Sequence, residues 1–147
     1  MSQYLSFKLI NKINPEIKVD LGYWCTSIAR GICDNFNNIF QYTEKDVNLD
    51  IEDFKSYIEE LHIGIDEYKQ HLHEYQEKNK KNIELLLKAQ SKVVVEVIKE
   101  DIENFEISIA DWQEEIDTWE MVENKLNFIF DIFNKNKNEW KLVYKNS

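Results

Sequence analysis

DIEDFKSYIEELHIGIDEYKQHLHEY, residues 50–75, is the stretch on which the fold turns. Ile51, Phe54, Ile58, Leu61, Ile65, Tyr68, Leu72 and Tyr75 recur in it at a strict 3-4-3-4-3-4-3 spacing. Residues three and four apart stack on one face of a helix, so this seam demands a long helix packed on other helices. Asp50 stands in front of the seam, where its carboxylate can accept from the first free amides. Gly64 inside the helix costs about 1 kcal/mol relative to alanine, which a seam of this length tolerates.

Beyond Tyr75 the seam loses its apolar character. Asn79 and Asn82 take its next positions, within the polar run Glu77-Lys78-Asn79-Lys80-Lys81-Asn82. Apolar residues resume at Leu85-Leu86-Leu87, Val93-Val94-Val95 and Val97-Ile98. A second seam follows through Ile98, Ile102, Phe105, Ile109, Trp112, Ile116 and Trp119, then after a phase shift through Val122, Leu126, Ile129 and Phe133. This predicts a second long helix over 92–134, bent where the phase slips. Two seams in one chain predict a long antiparallel helical hairpin of coiled-coil type. Pairing Tyr75 with Ile98 puts the fold-back near residues 86–87, inside a window of 79–92. The first helix then ends at 78 or runs to about residue 90. A competing reading turns the chain at 78–82 and lets an N-terminal helix cover the longer arm.

Outside the hairpin the period changes. Leu5, Phe7 and Leu9 alternate with polar residues, Asn14-Pro15 marks a turn, and Ile17 and Val19 flank Lys18, giving strand structure within 4–19. Trp24, Ile28, Ile32, Phe36 and Ile39 have helical spacing and predict a helix over 21–40. Trp140, Leu142 and Tyr144 alternate again, predicting a strand over 140–145 that pairs with the N-terminal one. The expectation is one mainly α domain, residues 1–147. It has a long helical hairpin, an N-terminal helix, and a small β element made by the two ends of the chain.

Composition agrees with helices. Three glycines and one proline in 147 residues are too few for the tight turns of an all-β fold. Aromatics at 13%, with four tryptophans, argue against disorder. Formal net charge is −10, which repels phosphate backbones and anionic lipids, so direct nucleic-acid or membrane binding is not expected. No apolar run reaches the roughly 20 residues of a membrane span, and the first residues lack the apolar stretch of a secretory signal. A cytoplasmic protein is expected. Cys25 and Cys33, eight apart in the predicted 21–40 helix, lie too far along its axis to bridge, and both are read as buried reduced thiols.

Catalytic signatures are absent from the sequence. Glu59-Glu60-Leu61-His62 holds a single Glu-x-x-His, whereas a di-iron bundle needs two. Glu67, His71 and Glu74 share a helical face that reads as a solvated surface. His62, His71 and His73 are placed away from the thiols, and no phosphate or dinucleotide loop can be built. No catalytic residue, metal or cofactor is assigned.

Two features point to partners. Eleven acids lie between residues 96 and 123 against Lys99 alone, so this segment equals the whole formal excess. Glu96, Glu100, Glu103, Asp111 and Glu114 are the members taken as candidate partner-binding residues. They read either as a solvated face or as a surface for a basic partner. The second feature is the segment 85–98, apolar almost all round and centred on Val94. Such a circumference calls for burial, by the N-terminal helix or by another protein chain, a second copy included. A short strand over Val93–Ile98 is an alternative local reading. The function that follows is a non-enzymatic helical interaction or assembly module. The runner-up is a small acidic inhibitor that blocks a basic, nucleic-acid-binding site on a partner such as a nuclease.

Overall fold

The computed structural model describes residues 3–25, 33 and 36–147. The elements are β1 (Tyr4–Asn11), β2 (Lys18–Cys25), α1 (Phe36–Ile39), β3 (Val47–Asn48), α2 (Ile51–Lys88), α3 (Lys92–Asn136) and β4 (Trp140–Asn146). The chain divides into two compact units. The first is Met1–Gly64 with Trp119–Ser147, and the second is Ile65–Thr118.

A small antiparallel sheet in the order β2-β1-β4-β3 organises the first unit. The two ends of the chain meet in it: Leu5 pairs with Asn146, Phe7 with Tyr144 and Leu9 with Leu142. Alternation in β1 sends Leu5, Phe7 and Leu9 into the core. Phe7 packs its ring 5.7 Å from Trp24, 5.8 Å from Phe40 and 5.5 Å from Phe54, so one side chain joins the sheet to α2. At the start of α2, Asp50 Oδ1 accepts from the amides of Glu52 (2.9 Å) and Asp53 (3.1 Å), an N-cap that satisfies donors the helix cannot.

Part of the N-terminal expectation is overturned. Residues 18–25 form a strand, so the predicted helix does not begin at 21, and the described helical part of 21–40 is α1, Phe36–Ile39. Ile28 and Ile32 lie outside the described residues. The physical reason is a bulge. Phe7 pairs with Gly22 while Lys8 pairs with Asp20, leaving Leu21 as the extra residue of β2. Gly22 takes φ +114°, a conformation open to glycine, and this lets the strand run on to Cys25. Cys25 therefore ends a strand, and the helix-based argument about its distance from Cys33 falls away. Cys33 is a buried thiol with Sγ 4.0 Å from the carbonyl oxygen of Tyr57. Burial, with Cys33 and Glu60 adding to it, pushes the Tyr57 phenol above its ordinary range, so it stays protonated in the core.

The hairpin seams lie inward within each unit. In the first, Phe54, Ile58 and Leu61 of α2 and Val122, Leu126 and Ile129 of α3 are buried. In the second, Ile65 and Leu72 are buried with Ile116, and Tyr68 stacks 5.2 Å from Trp112 and Tyr75 5.7 Å from Phe105. Residue numbers that rise on α2 fall on α3, so the helices run antiparallel. The turn at 78–82 is overturned: α2 continues through the polar run to Lys88, and the break is Ala89-Gln90-Ser91. Lys and Asn without glycine or proline do not stop a helix, and the amide of Val95 bonds back to Ser91 O at 3.0 Å to start the next one. Val93–Ile98 is helical, not a strand.

Candidate functional site

Every partner-binding candidate falls in the second unit. Within it the helical pattern turns six large aliphatic side chains toward solvent near the break between α2 and α3. Their exposures are 44% for Ile83, 55% for Leu85, 83% for Leu87, 70% for Val93, 46% for Val94 and 55% for Val97. Leu86, Val95 and Ile98, on the inward side, are partly buried. Residues 26–32, 34 and 35 of the predicted N-terminal helix, one of the two covers expected for this segment, lie outside the described residues. An apolar circumference at the end of a two-helix pair has only one side on which to be buried.

Beside this end lies a change of charge. Residues 78–92 carry Lys78, Lys80, Lys81, Lys88 and Lys92 against Glu84. Residues 93–118 carry nine acids, Glu96 through Asp117, against Lys99. Glu96, Glu100, Glu103, Asp111 and Glu114 are all exposed, and among the described residues none of them is held in an ion pair. Packed carboxylates without countercharges repel one another.

One polar side chain is buried in the same unit. Asn79 keeps the seam position that its spacing assigns and is 7% exposed. Its Oδ1 is buried with no hydrogen-bond partner. A buried acceptor left in this state costs about 1–3 kcal/mol. The sequence does signal it, as a polar residue at a seam position. A groove of about 180 Å³ lies nearby, lined by Tyr75, Asp101, Asn104, Phe105 and Ser108.

The histidines are placed unevenly. His71 Nδ1 is 3.7 Å from Glu74 Oε2 along α2, both largely exposed, and its ring packs 5.7 Å from Trp112. Glu67, His71 and Glu74 are not gathered round one point, and among the described residues no three His, Cys, Asp or Glu side chains form a metal-holding group. In the first unit His62 Nδ1 lies 2.9 Å from Glu123 Oε2, beside a groove of about 360 Å³ that also includes Ile58, Glu59, Ile63 and Asn127. Sequence reasoning missed this pair, because it arises across the two helices and no local spacing encodes it. It also missed a second set of exposed apolar residues, in the first unit: Tyr4, Ile13, Ile17, Val19 and Tyr23, on or beside β1 and the edge strand β2.

Comparisons with protein families, with curated proteins and with solved structures give no match to this chain. Among the described residues no helix is long and apolar enough to cross a membrane.

Proposed function

We propose that this chain is a non-enzymatic helical protein–protein interaction module, engaging its partner through the apolar end of the second unit. The observation that carries this reading is the exposure of Ile83, Leu85, Leu87, Val93, Val94 and Val97 together. Isolated exposed aliphatics are ordinary, but six within residues 83–97 at the end of a helix pair mark a contact surface. Covering it removes apolar area from water at about 25 cal/mol per Å².

A second reading has its own observation. The acidic face of α3, with Glu96, Glu100, Glu103, Asp111 and Glu114 exposed and outside any ion pair, suits a small inhibitor that occupies a basic, nucleic-acid-binding site on another protein. Regularly spaced carboxylates on a rod offer such a site charges in place of phosphates. Partner recognition would then rest on Coulomb attraction, which salt screens, rather than on apolar burial, which it does not.

Affinity capture from the source cell at low and high salt separates the two. Leu87→Glu with Val94→Glu should abolish capture at both salt concentrations if the apolar end binds. Glu100, Glu103, Asp111 and Glu114 changed to glutamine should then leave capture in place. The reverse pattern, with wild-type capture lost in high salt and the glutamine variant failing at low salt, assigns the acidic face instead.

A further inference from the structure

We infer that the occupant of the apolar end is a second copy of this chain, laid antiparallel over the first so that each basic end rests on the other's acidic shaft. The inference rests on the interaction-module reading and adds the identity of the partner. The support is charge complementarity within one unit. The apolar residues sit among Lys78, Lys80, Lys81, Lys88 and Lys92, with Glu96, Glu100 and Asp101 at the same level of α3, and the shaft behind them, residues 65–77 and 103–118, carries ten acids against Lys69. An object with a basic apolar end and an acidic body is complementary to itself when two copies overlap head to tail about a two-fold axis. Such closed pairs are the commonest form of self-association.

The faces agree with this. Val94, Val97, Asp101, Asn104 and Ser108 follow one another at 3-4-3-4 spacing, so they form one stripe along α3. Its first part is apolar and exposed, and its second part lines the groove with Tyr75 and Phe105. An antiparallel overlap along this stripe brings the valines of one copy to the groove of the other and gives both a cover.

Insertion into a lipid surface, the other use for a basic apolar end, would bring the acidic shaft toward anionic headgroups.

Sedimentation equilibrium of the full chain over a micromolar concentration series tests the inference. Wild type should be a dimer whose dissociation constant rises several-fold between low and high salt. Val94→Glu with Val97→Glu, both at exposed positions, should keep the wild-type circular dichroism and weaken the dimer at least about tenfold. A wild-type monomer across the series overturns the inference whatever the variant does. So does a dimer that survives both substitutions, an open-ended series of larger species, or binding to phosphatidylserine–phosphatidylcholine vesicles without dimer formation. The interaction-module reading fails separately. If wild type is monomeric but capture still depends on Leu87 and Val94, only the second copy is excluded. If capture is indifferent to them, the reading itself falls.

Discussion

Phe7→Ala is expected to destabilise the first unit by about 3–5 kcal/mol, measured by urea unfolding followed by tryptophan fluorescence. Phe7 is fully buried, on a strand with neighbours on both sides, β2 and β4. Its ring meets Trp24 from β2, Phe40 just past α1 and Phe54 from the first turns of α2. Truncation removes a large apolar group and several aromatic edge contacts at once. It also leaves a cavity whose walls come from three separate elements and cannot collapse together. A loss under about 1 kcal/mol would mean that this aromatic cluster is not the core of the unit.

Leu61→Ala carries the next largest effect, about 2–5 kcal/mol. Leu61 is 1% exposed, midway along the 51–75 seam of α2, with Ile58 and Ile65 buried at neighbouring seam positions. Alanine keeps the helix propensity, so the change isolates packing from helix formation. A shift under about 0.5 kcal/mol would place the seam in solvent and remove the basis for reading two packed helices.

These two residues differ in how far the sequence alone could place them. Leu61 was legible because seven intervals of three and four cannot arise on a strand or a loop. The same rule located α3, and the period-2 alternation of Leu5, Phe7 and Leu9 and of Trp140, Leu142 and Tyr144 located the strands that join the chain ends. The contacts that Phe7 makes were not legible. Trp24 was read on a helical period, and the bulge at Leu21 with Gly22 at φ +114° that carries β2 to Cys25 has no periodic signature. The polar run 77–82 misled in a different way. Its asparagines break the apolar pattern without breaking the helix, since helix continuity depends on backbone propensity and the seam depends on side-chain chemistry. Asn79 is where those two separate, and its orphaned Oδ1 is the result.

The candidate site was legible in part for the same reason. Exposure of the acids 96–114 follows from helical phase once the seam is fixed. Exposure of Leu85, Leu87 and Val94 does not, because apolar residues on every side of a helix predict burial. The His62–Glu123 pair depends on the register of α2 against α3, a long-range quantity that neither helix encodes by itself.

Amide hydrogen exchange, compared between the assembled protein and the same protein diluted until it dissociates, tests the central claim most directly. Helix ends fray, and covering them suppresses the opening that exchange reports. Residues 83–97 should show the largest slowing on assembly, while β1, β2 and β4 exchange at the same rate in both samples. Slowing confined to the edge strand β2 and the residues around Ile13 and Tyr23, with 83–97 unchanged, would contradict it and move the interaction surface to the sheet of the first unit.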